Sequence, residues 1–260
     1  THEDNRIYEF EEKPENPKSD KASMGVYIFK KDALARYLRE DEADENSSKD
    51  FGKNVIPAML NGGERLFAYQ FDGYWKDVGT LQSLWESNMD LLGENPELDL
   101  SDDKWKISYR HYPDHPHYIG KDGYVSNSVV AEGCEINGTV INSVLFSGVT
   151  VEKGAVIKDS VVMRNTYVKE DASINYSIID VNGCIGAKAK VGEEKAEGVE
   201  LAVLGSNVKV ADGAVVEAGE IIDIDTHVKR EAVILSDRAS SLIQSDEIIY
   251  LKMKEKEVVK

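Results

Sequence analysis

Long apolar runs are missing. Nowhere in the 260 residues do about 18 hydrophobic residues stand together, the length that a membrane-spanning helix needs. The first residues, Thr1-His2-Glu3-Asp4-Asn5-Arg6, are polar and acidic and do not resemble a secretory leader. A cytoplasmic protein with no membrane partner is expected. Cysteine is scarce: Cys134 and Cys184 are too few for a disulfide framework and lack the grouped spacing of a zinc site. Both read as small buried thiols. Basic residues are outnumbered, 31 Lys and Arg against 48 Asp and Glu, leaving a formal charge of −17. That field opposes binding to nucleic acid or to an anionic membrane surface, so any phosphate ligand must be held by particular lysines or a metal.

The length points to two modest domains. In residues 1–93, Ile7 to Glu12, Ala22 to Phe29 and Leu66 to Phe71 alternate like strands. Lys31 to Glu40 and Phe51 to Leu60 read as helices, the first with Leu34, Tyr37 and Leu38 on one face. This is the pattern of an α/β domain. Residues 94–124, with Pro96, Pro113 and Pro116 and the histidines 111, 115 and 117, read as a linker. His115-Pro116-His117 is a weak metal signal beside that plain reading.

The stretch Tyr74-Trp75-Lys76-Asp77-Val78-Gly79-Thr80 concentrates chemistry. Asp77 stands between bulky aromatics and a glycine, just before a helix expected over 81–92 that Thr80 can cap. A carboxylate there suits a hard cation carrying phosphates. A buried, capping aspartate would look similar.

From residue 125 a period of six takes over. Aliphatic residues recur at Val151, Ile157 and Met163, at Val168 and Ile174, at Ile179, Ile185 and Val191, and at Leu204, Val210, Val216 and Ile222. Small or branched residues often follow four places later, among them Ala155, Val161, Ala172, Ile178 and Ala189. Six fits neither the 3.6-residue helix nor a two-residue alternation; it marks short strands wound into a triangular coil. A β-helix of hexapeptide repeats is expected over 125–222, with a loop bulging at the acidic interruption 192–200. The tail 223–260 loses the period. An acyltransferase built on such a coil needs a histidine base, and no histidine lies between Tyr118 and Thr226.

Five elements in order carry a resemblance: Glu11-Glu12-Lys13-Pro14, Ala22-Ser23-Met24-Gly25-Val26-Tyr27, Asp50-Phe51-Gly52-Lys53-Asn54-Val55-Ile56-Pro57, Tyr74 to Thr80, and Asn142-Ser143-Val144-Leu145-Phe146. Followed by hexads, they make the sequence resemble the bacterial ADP-glucose pyrophosphorylases, that is, glucose-1-phosphate adenylyltransferases. The resemblance implies a Rossmann-like nucleotidyltransferase fragment joined to a left-handed β-helix, in a homo- or heterotetramer. It implies attack of glucose 1-phosphate on the α-phosphorus of ATP carrying Mg²⁺, giving ADP-glucose and diphosphate for glycogen biosynthesis. It further implies that Glu12 holds sugar hydroxyls, Lys13 the sugar phosphate, Ser23 the sugar and Asp77 the magnesium, with Asp50 and Trp75 shaping the sugar pocket.

The chemistry agrees with those roles. Phosphoryl-type transfer is mostly positioning and charge neutralisation, and bringing two anions together calls for a cation at each. Lysine supplies a point charge for the monophosphate and Mg²⁺ bridges the nucleotide phosphates. Plainer readings stand beside each: Glu12 and Lys13 as an exposed ion pair, Ser23 as a strand-end hydroxyl, Asp50 as a helix cap, Trp75 as core. One departure is large. The family's Gly-rich triphosphate loop has no counterpart in these residues, so the chain reads as the family's C-terminal part and is expected not to transfer adenylyl groups alone. The other reading is a non-catalytic regulatory or assembly subunit that oligomerises through its coil.

Overall fold

The computed structural model describes residues 1–100, 102–104 and 114–230, together with the strands 233–234, 242–245 and 248–251. They fall into two compact units, Thr1–Gly73 and Tyr74–Lys260.

In the first unit, helix α1 (Lys31–Ala43) and helix α2 (Ile56–Asn61) are both present, and a single π-helical turn, Phe51–Val55, leads into α2. Tyr37 of α1 packs with Val55 and Met59, flanked by Phe29, Leu34 and Leu66, whereas Leu38 stays on the exposed side. The three expected strands are not formed. Only Arg6 and Phe67 pair, as an isolated antiparallel bridge flanked by Ile7 N–H to Leu66 O at 2.8 Å and Ala68 N–H to Asn5 O at 2.9 Å. The alternation was legible, but a strand exists only as half of a pair. Segment 22–29 has no pairing partner among the described residues, and Ile28 is 99% exposed.

The second unit is a parallel β-helix of about seven turns, left-handed as the hexads imply. Successive turns lay strands on three faces: Tyr118–Ile119, Tyr124–Ser126 and Val129–Val130 begin the faces, and each pairs in parallel with the strand one turn on. The periodic aliphatics point inward. Val151, Ile157, Val168, Ile174, Ile179 and Ile185 are all inaccessible, each contributing roughly 1.5–3 kcal/mol of burial. The expected Met163 is the exception. The inward residue is Val162, and Met163 lies outside the coil against helix α3 (Leu81–Met89). The reason is the repeat itself: from Val151 through Ile157, Val162, Val168 and Ile174 to Ile179 the steps are six, five, six, six and five, so each turn has two six-residue steps and one of five. This accounts for the slips between hexad runs.

Strands begin at Tyr118 and continue past the 125–222 span to His227–Val228 and Val233–Ile234. Beyond them Leu242–Ser245 pairs antiparallel with His227–Val228, and Ile248–Leu251 pairs with it in turn. The charged run Lys252 to Lys260 lies outside the described residues, as do Ser101 and 105–113 of the linker.

Polar columns fix the corners. Ser143, Ser160 and Ser177 are fully buried. The amide of each donates to the hydroxyl of the serine before it, in a line that starts at Ser128, with N–O distances of 3.1 Å, while its own hydroxyl donates to the carbonyl two residues back. Beside this line runs an amide column, Asn127 to Asn142 at 2.8 Å and Asn142 to Asp159 at 2.5 Å. At a different corner Asn165, Asn182, Asn207 and Asp225 form a second column at 3.3, 3.0 and 2.7 Å. All seven side chains of the two columns sit on residues with positive φ, the left-handed conformation that Asn and Asp tolerate best.

Candidate functional site

Glu9, Glu11 and Glu12 begin the chemistry of the first unit. Glu9 and Glu11 share the ammonium of Lys18, which raises the Lys18 pKa to about 12. Glu12 is half-buried, and among the described residues it has neither a hydrogen bond nor an ion partner. Its carboxylate lies against the α-carbon of Gly52. Lys13 is exposed and held at φ 46°, a conformation that costs a lysine on the order of 1 kcal/mol and is commonest where a site requires it. The ion pair between Glu12 and Lys13 is not made.

Asp50 caps the π turn. Its Oδ1 accepts from Lys53 N–H at 2.8 Å, and its carbonyl accepts from Asn54 and Val55. The cap reading therefore holds in the geometry, and the second carboxylate oxygen remains for a ligand. Ser23 Oγ lies 2.9 Å from the hydroxyl of Tyr27, whose ring stacks on Phe51 at 6.0 Å. Glu12, Gly52, Phe51, Tyr27 and Ser23 thus form one continuous line of contacts on the first unit. Tyr27 and Gly52 lie within the motifs that carry the resemblance, but nothing in their spacing marks them as site residues. Contact across the chain is invisible in spacing, and only the folded turn brings 12, 27 and 52 together.

Trp75 and Asp77 belong to the second unit. Tyr74 Oη donates to Asp90 at 3.0 Å, and Lys76 Nζ donates to the same oxygen at 2.8 Å. Alternation along the segment leaves the odd-numbered residues on the other side, so Trp75 is 49% exposed rather than core, and Asp77 is exposed with it. At the far end Thr80 and Ser83 form a reciprocal capping box that starts α3. The segment is therefore tied to α3 at both ends. Asp77 Oδ1 accepts from Gly79 N–H at 3.1 Å, which aims the carboxylate and leaves Oδ2 for a cation.

The donor chemistry at Asp77 suits a hard divalent ion held partly by phosphates and water, as Mg²⁺ is. The protein supplies one carboxylate, and no group of three His, Cys, Asp or Glu capable of enclosing a metal occurs among the described residues. His115 turns its Nδ1 to the carbonyl of Pro116 at 3.0 Å.

Helix α3 is itself held by the coil. Trp85 is buried against Val161, Ile178 and Val203. Its indole N–H donates to Asp159 O at 2.8 Å and its ring meets Tyr176 edge-on at 5.0 Å. The expected loop after Gly192 leaves the coil here and places Lys195 4.5 Å over the indole.

Residues 1–94 match the nucleotidyl transferase family, and residues 116–201 match the GlmU-like C-terminal hexapeptide family. Among curated proteins, a glucose-1-phosphate adenylyltransferase of Clostridium perfringens (strain 13 / Type A) is 58% identical over 170 residues, 65% of this chain and 43% of the relative. The chain is a relative of glucose-1-phosphate adenylyltransferases. Proteins of the same name from Acetivibrio thermocellus and Clostridium beijerinckii are 48% and 47% identical over 241 and 223 residues. These alignments cover 89% and 85% of this chain and 56% of each relative. The chain spans about half the length of the curated adenylyltransferases it matches. Its α/β class thus rests on this kinship together with the helices of the first unit, and its coil on the geometry itself. No helix among the described residues is long and apolar enough to cross a membrane.

Proposed function

We propose that the chain carries the glucose 1-phosphate side of a glucose-1-phosphate adenylyltransferase, the enzyme that forms ADP-glucose and diphosphate from ATP and α-D-glucose 1-phosphate for glycogen biosynthesis. The observation that carries this is the 58% identity to a protein of that name, spread over 65% of the chain. The site geometry supports it. Glu12 offers an acceptor with no donor among the described residues, suited to sugar hydroxyls. Lys13 offers a mobile cation for the sugar phosphate. Ser23 and Asp50 border the same surface, and Trp75 presents an exposed ring of the kind sugars stack on.

Asp77 would bind Mg²⁺ with the phosphates of ATP completing its shell. A bound Mg²⁺ supplies charge neutralisation at the transferring phosphorus. The chain's own contribution is to aim Asp77 through Gly79 and to keep the segment rigid through Asp90 and Thr80. ATP and glucose 1-phosphate are thus the proposed partners, the cytoplasm the proposed compartment and a coil-mediated homo- or heterotetramer the proposed assembly. The domain reading keeps 1–93 as catalytic-type, with a linker after it, and widens the coil from the expected 125–222 to the strands between Tyr118 and Ile234, at the expense of the expected linker 94–124 and tail 223–260.

Calorimetric titration of the purified chain with glucose 1-phosphate tests the reading. Binding is expected, and Lys13→Ala should weaken it at least about tenfold, the loss of one charge-assisted contact of about 1.5–3 kcal/mol. With ATP and Mg²⁺ added, the chain alone should release no diphosphate, because its 260 residues hold no Gly-rich triphosphate loop. Lack of sugar-phosphate binding, or Lys13→Ala binding at wild-type strength, would refute the assignment.

A further inference from the structure

Gly52 is a glycine without a conformational reason to be one. It is buried in the π turn, and its φ lies outside the left-handed region. Any residue adopts that backbone, and glycine within a helical turn is less favourable than alanine by roughly 0.5–1 kcal/mol. What the missing side chain makes room for is Glu12. A β-carbon at position 52 would stand 2.2 Å from Glu12 Oε2, 2.8 Å from Cδ and 3.3 Å from Cγ, where ordinary contact begins at 3.4 Å. Those three atoms of one side chain are its nearest neighbours.

Glu12 meanwhile is a half-buried carboxylate with no donor among the described residues, an arrangement that is costly unless a ligand supplies hydrogen bonds. We infer that Gly52 is a positioning residue: its bare α-carbon is the floor that sets where the Glu12 carboxylate accepts from the hydroxyls of glucose 1-phosphate. The inference rests on the proposed role of Glu12. A glutamate is flexible at its far end, so an alanine at 52 is accommodated by moving the carboxylate about one ångström, leaving the fold intact. Displacements of that size at a binding or reacting group cost up to about 100-fold.

The test uses four full 260-residue chains: wild type, Gly52→Ala, Glu12→Ala and the double variant. Three quantities are read: the melting temperature, the ¹³C shift of the Glu12 side-chain carboxyl without sugar, and the dissociation constant for glucose 1-phosphate. Gly52→Ala should melt within about 2 °C of wild type, since the helix-propensity gain offsets a small rearrangement. It should move the Glu12 resonance and weaken sugar-phosphate binding about tenfold or more. In the Glu12→Ala background the same substitution should change nothing further. An unmoved resonance, wild-type affinity in Gly52→Ala, or an equal loss in both backgrounds overturns the inference. If the wild-type chain binds no glucose 1-phosphate, the sugar reading of Glu12 falls. The resonance, read without sugar, then decides alone: a shift supports Gly52 as the floor under the carboxylate, and no shift refutes it.

Discussion

A hydroxyl that both donates and accepts in a dry corner has no spare capacity. Ser160 donates to Lys158 O at 2.7 Å and accepts from Ser177 N–H at 3.1 Å, with no solvent access. Ser160→Ala leaves the Ser177 amide without a partner, whereas Lys158 O keeps the Tyr176 amide at 3.1 Å, and an unsatisfied buried group costs about 1–3 kcal/mol. The urea midpoint should fall by an amount equal to about 1–3 kcal/mol with unchanged slope; a loss under about 0.5 kcal/mol would mean water replaces the hydroxyl. Cysteines differ in the same way. Cys134 is buried, and burial pushes its thiol pKa up, while Cys184 is half-buried. A thiol reagent near neutral pH should therefore modify Cys184 first and reach Cys134 only after denaturant is added; equal native rates would contradict the packing. At this scale the sequence showed the candidate residues but not their company. Asp50 was open between cap and ligand until the Lys53 amide was seen on its oxygen. Ser143, Ser160 and Ser177 recur at the spacing of one turn, but an apolar period carries no sign of a polar repeat beside it.

Helix α3 is where local patterning and tertiary contact meet. Thr80 and the helix were legible from capping and spacing, but Trp85 as the anchor and the coil face that receives it were not. The same four-residue offset that reads as interior at Ala155 and Ala172 turns outward at Val161 and Ile178. Trp85→Ala should cost about 3–5 kcal/mol, measured by thermal unfolding, whereas Lys195→Met should cost no more than about 1 kcal/mol, the worth of a partly exposed cation–π contact. The Asp90 tie also has a pH signature. Burial, then the Asp90 hydrogen bond, raises the Tyr74 pKa, and that same carboxylate raises the Lys76 pKa. A raised folded-state pKa means that both protonated forms favour the folded segment. Their contribution is complete below the ordinary values near 10 and disappears as pH climbs through the raised ones. Tyr167, hydrogen-bonded to Glu152, also titrates late, so absorbance at about 295 nm should lose one late-titrating tyrosine, and not all of the late signal, in Tyr74→Phe; an unchanged late signal would mean that the segment is not held to α3.

For the molecule as a whole, charge and apolar exposure work against each other. The chain carries −17, and its first unit exposes Val26, Ile28 and Tyr69 on extended backbone that is not paired into a sheet. Unpaired edges with apolar side chains associate, and like charge resists association. Light scattering should show mass rising with salt as the Debye length shrinks below about 10 Å; a monodisperse monomer at all salts would refute this. The coil was legible because its repeat is internal to the sequence, whereas pairing in residues 1–73 depends on partners that a period cannot name. The coil's two corner columns overlap only briefly in sequence. The first ends with Asp159 and Ser177, and the second starts at Asn165. Residues 165–177 therefore act as a splice between two zips. Cutting the chain there would strand each half with its own fastening, and neither half would inherit the other's.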